Sequence, residues 1–100
     1  MNHLTLTAGI VERQPVRYTP AGVPVVGMTL AYAGEVMEAG SPRQIRLEMP
    51  AIAIGDTALA VERLSAGTSV VWKGFLAPKK QGSKQLDFHV TAFECESISA

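Results

Sequence analysis

The feature that most constrains this chain is the alternation of apolar and polar residues with a period of two, which is typical of half-buried β-strands. It is clearest in residues 4–10, where leucine, alanine and isoleucine alternate with threonine and glycine. The same pattern returns in residues 25–32, 44–49, 70–76 and 86–91. The sequence therefore predicts five short strands, the first of which ends near Pro15.

One segment between the third and fourth strands has helical spacing instead. In residues 56–64, Leu59 and Arg63 are four residues apart, as are Ala60 and Leu64. Asp56 is predicted to be the N-cap of this helix, and Gly67 to stop it. Three strands, a short helix and two strands follow the order of the OB-fold, a five-stranded Greek-key barrel. We therefore predict an all-β OB-fold that forms a single domain over residues 1–100.

The connections between the strands contain the residues that favour turns. A turn with proline and glycine is predicted from Tyr18 to Gly22, and a loop over residues 34–42. Proline cannot donate a hydrogen bond to a sheet, so Pro50 marks an edge or a bulge before the short apolar run 51–54. Residues 78–84 are polar, contain Gly82, and predict a hairpin loop between the last two strands.

Composition excludes several classes of protein. The hydrophobic fraction is 47% and the charged fraction 18%, which excludes a disordered chain. The single cysteine, Cys95, cannot form an internal disulfide, and its neighbours Glu94 and Glu96 favour an inert thiol. His3 and His89 lack metal-ligand spacing, and no catalytic motif is present. We expect a cytoplasmic protein without enzymatic activity, metal, cofactor or membrane contact, since neither a signal peptide nor a spanning segment is found.

Charge is balanced in total but segregated along the chain. Nine Lys and Arg offset nine Asp and Glu, yet residues 64–86 contain no acid and four lysines: Lys73, Lys79, Lys80 and Lys84. In an OB-fold the loop between the fourth and fifth strands borders the oligonucleotide-binding face. These lysines therefore predict contact with the phosphates of single-stranded DNA. The alternative is an ordinary solvated hairpin tip.

A second set of candidates combines arginines with aromatic residues. Arg13 and Arg17 form a basic group near the first turn, and Arg46 lies on the polar face of the third strand, where an ion pair with a glutamate such as Glu48 is the alternative. Tyr18 and Phe75 are the candidates for base stacking. Tyr32 and Phe88 are predicted to lie in the core, and Trp72 in the core or a subunit interface. The predicted DNA-binding residues are Arg13, Arg17, Tyr18, Arg46, Lys73, Phe75, Lys79, Lys80 and Lys84.

Two segments carry a resemblance to a known family. Residues 4–30, with the Arg-Tyr-Thr-Pro-Ala-Gly turn at 17–22, resemble the opening of bacterial single-stranded DNA-binding proteins. Residues 64–76 match the L-x-x-G-x-x-V-x-x-x-G-x-L segment of the same family. The length near one hundred residues, the Arg43-Gln44 and Met49-Pro50 pairs and the missing carboxy-terminal tail make the chain most similar to the primosomal replication proteins of that family.

The resemblance implies an OB-fold homodimer that binds single-stranded DNA and bridges it to the PriA helicase and other primosome proteins during replication restart. Lys79, Lys80 and Lys84 match the basic loop of such proteins, whereas Arg46 or its neighbour stands where some of them carry a base-stacking tryptophan. The resemblance therefore implies weaker DNA binding, with protein contacts carrying more of the function. The alternatives are a protein-interaction adaptor that binds DNA weakly and a minimal general single-stranded DNA-binding protein.

Overall fold

The alternating segments form strands in the computed structural model, which describes residues 1–95. Glu96, one of the two acidic neighbours of Cys95, lies outside the described residues. Within them the predicted turn at Tyr18 contributes a sixth, two-residue strand beside the five that were expected. The elements are β1 (Leu4–Arg13), β2 (Arg17–Tyr18), β3 (Pro24–Glu38), β4 (Ser41–Ile54), α1 (Asp56–Glu62), β5 (Ser69–Pro78) and β6 (Leu86–Cys95).

The five long strands close into a barrel, which confirms the predicted OB-fold. They follow the order β1-β5-β6-β4-β3, and a further pairing of β1 with β3 completes the circle. All contacts are antiparallel except the one between β4 and β6, which is parallel and pairs only Ala51–Ala53 with Phe88–Val90. The helix α1 lies between β4 and β5 in sequence, as expected, and packs against β3, β4 and β6.

The barrel interior is filled by one face of each alternating segment. Val26 and Leu30 of β3, Val70 and Trp72 of β5 and Phe88 of β6 are fully buried. The indole Nε1 of Trp72 donates a hydrogen bond to the carbonyl oxygen of Ala8 at 3.1 Å. Of the two places predicted for Trp72, the structure therefore shows the core, where its polar atom is satisfied by the neighbouring strand.

The predicted loop over residues 34–42 is wrong, because β3 and β4 continue as a long hairpin arm. The two strands pair from Val25 and Ile54 out to Glu38 and Ser41. Only Ala39 and Gly40 form the turn, with φ of 53° and 79°, and positive φ at both central residues is what tight hairpins require. Pro42 is tolerated because β6 pairs with β4 only at Ala51–Ala53, which leaves this part of β4 with an open edge.

The β3–β4 ladder also settles the position of Pro50. The ladder passes through Thr29 and Pro50 without a register shift, so the bulge that the proline allowed is absent. Pro50 instead precedes the first β4 residue that pairs with β6, Ala51, and so lies at an edge, which was the other expectation.

The helix and its cap each begin one position earlier than expected, and the helix ends sooner. Asp56 is the first helical residue, not the N-cap; the cap position is Gly55, and no side chain hydrogen-bonds there. Gly55 has φ of 77°, which glycine adopts without strain, and this allows the sharp entry from β4. The helix ends at Glu62, before Leu64. Gly67 lies in the following turn with φ of 84°.

Candidate nucleic-acid interface

One outward surface of the barrel is built from the side chains that alternate with the core. Pro50 and Ile52 of β4 alternate with the buried residues Ala51 and Ala53 and so point away from the interior. The parallel register places His89 of β6 beside Ile52. Strand β5 continues the surface, because Phe75 lies opposite His89. This outward surface runs across three strands and is bordered by β2 and by the β5–β6 hairpin.

A polar cleft of about 260 Å³ at one end of this surface brings two predicted cations together. Arg17 enters it from β2, and Lys79 enters it from the start of the β5–β6 hairpin. Gln14, Thr29 and Asp87 contribute further polar groups. Arg17 and Lys79 are more than sixty residues apart in sequence, so the barrel closure is what makes them neighbours. The cleft is called the Arg17–Lys79 cleft below.

The β5–β6 hairpin is a defined turn that presents its lysines outward. The backbone N–H of Lys79 donates to the carbonyl oxygen of Gln85 at 2.8 Å, and the N–H of Ser83 donates to Lys80 at 2.9 Å. The hydroxyl of Ser83 accepts a hydrogen bond from the N–H of Gln85 at 3.0 Å. Lys80 and Lys84 are exposed and make no ion pair with any residue of the 1–95 range. Their charges are therefore open to an anionic ligand.

Two of the predicted lysines already have acidic partners. The ammonium of Lys79 lies 3.1 Å from Oδ1 of Asp87. The ammonium of Lys73 lies 4.0 Å from Oε1 of Glu94, an exposed contact at the limit of an ion pair. Exposed pairs of this kind contribute little to stability, about 1 kcal/mol or less, so either lysine can exchange its partner.

An aromatic groove adjoins the Arg17–Lys79 cleft at Ile52. Phe75 is 38% exposed and stacks on the imidazole of His89, with ring centroids 5.0 Å apart and planes inclined by 10°. With Ile52, Ile54 and Thr57 these rings line a cavity of about 260 Å³, called the Phe75–His89 groove. The structure thus places Phe75 where a base could stack. Tyr18, the other predicted stacking residue, is 63% exposed on β2.

Arg46 lies apart from these two cavities, on the hairpin arm. It lines a shallow cavity of about 380 Å³ with Tyr32, Leu47 and Glu48. Its neighbour across the ladder is Ala33, not an acid. Within residues 1–95 Arg46 makes no ion pair, so the alternative of a pair with Glu48 is not observed. Tyr32, predicted to be a core residue, is half-buried against the edge of the core.

Arg13 is engaged inside the fold. Its Nη1 donates hydrogen bonds to the carbonyl oxygens of Val61, at 3.0 Å, and of Leu64. Val61 lies in the last turn of α1, where its carbonyl oxygen also accepts the N–H of Leu64 at 3.0 Å, and Leu64 follows the C-cap residue Arg63. Arg13 therefore ties β1 to the helix, and its predicted contact with DNA stays a prediction.

Sequence reasoning missed Gln14, Asp87 and His89 as members of this surface. A signal for the last two was present, since Asp87 and His89 alternate with the buried Phe88 and so point outward. Gln14 had no such signal, because its placement depends on a backbone hydrogen bond from its N–H to the carbonyl oxygen of Gly27 at 2.9 Å. Among residues 1–95, no group of three or more His, Cys, Asp or Glu could hold a metal ion.

Helices of the described chain are too short or too polar to cross a membrane.

Residues 2–92 match the model of a family described as another single-strand binding protein family. The replication restart protein PriB of Bordetella pertussis is 40% identical over 90 residues, which cover 90% of this chain and 84% of the relative. PriB of Nitrosomonas europaea is 37% identical over 89 residues, covering 89% and 82%. The solved structure of PriB from Ralstonia solanacearum superimposes with a TM-score of 0.87 at 40% identity, covering 97% of this chain and 99% of that one.

Proposed function

The chain belongs to the single-strand binding protein family, among the replication restart proteins PriB, and from this premise we propose that it binds single-stranded DNA during replication restart. The observation that carries the proposal is the Arg17–Lys79 cleft beside the Phe75–His89 groove. A charged cleft next to exposed rings suits a ligand with alternating phosphates and bases.

Phosphate contacts supply the affinity in this proposal. Arg17, Lys80 and Lys84 border the cleft or form the hairpin beside it, and Arg46 extends the basic track along the hairpin arm. These side chains are flexible and reach phosphates without reading base edges, so binding tolerates any sequence. The zero net charge of the chain keeps binding modest and strongly dependent on salt.

Base contacts are assigned to the exposed rings. Phe75 and His89 offer a stacked pair at the groove, and Tyr18 offers a further ring on β2. Stacking of a base on an aromatic side chain contributes about 1–3 kcal/mol. Arg46 or its neighbour stands where some proteins of the family carry a base-stacking tryptophan, and the planar guanidinium of Arg46 can stack on a base as well as contact a phosphate.

We further propose that the protein is a homodimer that links DNA to the PriA helicase in the cytoplasm and has no enzymatic activity. The open edge of β1 supports self-association. Leu4–Ala8 pair with β5 on one side, whereas β3 pairs only with Gly9 and later residues of β1. An unpaired strand edge of this length is a template for pairing with another strand, such as β1 of a second copy.

A second candidate function is an adaptor whose main partner is protein. The ion pairs of Lys79 with Asp87 and of Lys73 with Glu94 favour it, because they reduce the free positive charge on the surface. A titration of dye-labelled oligothymidylate followed by fluorescence anisotropy at low salt separates the two. DNA binding predicts micromolar affinity that falls with salt, whereas the adaptor predicts only millimolar binding.

The same titration with the Lys79→Ala, Lys80→Ala, Lys84→Ala triple variant tests the assigned surface. Binding to oligothymidylate and oligodeoxyadenylate should weaken alike, because phosphate contacts carry no base information. A loss of binding confined to one base composition would contradict the proposal that these lysines contact phosphates. Addition of PriA to the complex tests the bridging role, and sedimentation tests the dimer.

A further inference from the structure

We propose that the Arg17–Lys79 cleft is a subsite for one phosphodiester of the strand and that Asp87 occupies the place of that phosphate in the unbound protein. The inference rests on the proposed binding of single-stranded DNA and adds to it a residue that sets its strength. Asp87 was not among the predicted site residues, and its role follows from its ion pair with Lys79 in the cleft that Arg17 also lines.

The geometry of Asp87 is that of a substitute anion. Its Oδ1 lies 3.1 Å from Nζ of Lys79, within the usual length of an N–H···O hydrogen bond. The Asp87 side chain is only 15% exposed, whereas that of Lys79 is 48% exposed. The carboxylate therefore lies at the inner wall of the cleft, and the ammonium lies nearer its mouth, where a phosphate arrives.

The other polar members of the cleft are free to contact an anion. Arg17 is exposed and makes no ion pair with any residue of the 1–95 range. Gln14 packs over Gly27, where an added Cβ would stand 2.5 Å from the amide oxygen Oε1, so the missing side chain makes room for the amide. Two cations and an amide thus line the cleft, and among residues 1–95 Asp87 is the single carboxylate that lines it.

Asp87 weakens DNA binding for two physical reasons. In the unbound protein the carboxylate of Asp87 already neutralises the charge of Lys79. Lys79 must therefore give up this partner before it can bind the phosphate. Once the phosphate is bound, it also faces the carboxylate in a cleft that solvent reaches, so a smaller, screened repulsion between like charges adds to this cost. The residue therefore acts as a built-in competitor that favours release of the strand.

The test is the Asp87→Asn variant, which keeps the size of the side chain and an oxygen acceptor for Lys79 but removes the charge. We expect it to bind dye-labelled oligothymidylate about fivefold more tightly at low salt, the value of one exposed ion pair. The slope of log K against log salt should steepen by about 0.7, because Lys79 becomes one more unpaired cation available to the strand. Asp87→Ser serves as a second variant if Asp87→Asn does not fold.

Glu62→Gln is the matched control, since it makes the same change in net charge on an exposed residue at the end of α1. Its affinity should change by less than about twofold. In a double-mutant cycle with Lys79→Ala, most of the gain from Asp87→Asn should disappear, because the freed ammonium is gone and only the screened repulsion between carboxylate and phosphate is left to relieve. The inference is overturned if Asp87→Asn binds no more tightly than Glu62→Gln, or if the gain is undiminished without Lys79. Failure of the wild-type protein to bind DNA would instead refute the proposed function.

Discussion

The salt dependence of DNA binding can be worked out from which cations are paired. Four of the cations that are proposed to contact phosphates make no ion pair within residues 1–95: Arg17, Arg46, Lys80 and Lys84. Each phosphate neutralised on a single strand contributes a slope of about −0.7 to log K against log salt. Four contacts therefore predict a slope of about −2.8 for the wild-type protein, with Lys79 adding nothing while Asp87 neutralises it.

The perturbation is the Lys80→Gln, Lys84→Gln double variant, which removes half of these contacts without removing the hairpin. The slope should fall to about −1.4. Over about a fourfold rise in salt, the wild-type protein should lose affinity by about 50-fold and the variant by about sevenfold. Fluorescence anisotropy with labelled oligothymidylate at several salt concentrations measures both slopes.

The control is the Arg43→Gln, Arg63→Gln double variant, which changes the net charge equally. Arg43 is paired with Glu38 at 2.7 Å on the tip of the arm, and Arg63 is the C-cap of α1. Neither residue is among those proposed to contact phosphates, so the slope should stay near that of the wild-type protein. Equal slopes for the two double variants would refute the reasoning, because net charge alone would then determine binding.

Three further variants test the fold and the groove. Gly74→Ala should lower the free energy of unfolding by about 3 kcal/mol in urea denaturation, because a Cβ there would overlap the His89 carbonyl oxygen. The control is Gly9→Ala, whose Cβ would meet its neighbours at 3.6 Å and which should change the free energy of unfolding by less than about 0.5 kcal/mol. Equal effects of the two substitutions would contradict the overlap. Arg13→Met should cost about 2 kcal/mol by the same measurement, since two carbonyls of the α1 end lose a charged donor, and an unchanged midpoint would show that these bonds do not matter. Phe75→Ala should weaken oligothymidylate binding about tenfold with the salt slope unchanged, so a changed slope would show that the ring acts through charge.

The alternation of residues was enough to predict the barrel because each predicted strand has one face in the core. It failed for residues 34–38, where the arm extends past the barrel and both faces meet solvent, so polarity there resembles that of a loop. Asp56 was misplaced as the cap because the acidic side chain and Gly55 compete for the same helix start, and the positive φ of glycine is not visible in a sequence.

The site was predictable only where it is local. The lysines of one hairpin lie together in sequence, so Lys80 and Lys84 could be assigned to a common surface. The meeting of Arg17 with Lys79 and the stack of Phe75 on His89 depend on strand order and register, which link distant segments. The partner of Lys79 could not be found from spacing alone, because Asp87 is eight residues away across a turn.

The short parallel pairing of β4 with β6 has a consequence for the dynamics of the bound state. Only Ala51–Ala53 and Phe88–Val90 join these strands, so the barrel has a narrow seam between the part before α1 and the part after it. The Arg17–Lys79 cleft and the Phe75–His89 groove both span this seam, since each is lined by β4 and β6 residues. A DNA strand bound along both cavities crosses the seam and holds it closed by mass action. Amide hydrogen exchange at Ala51 and Ala53 should therefore slow when DNA is bound, because the ligand stabilises the pairing of β4 with β6.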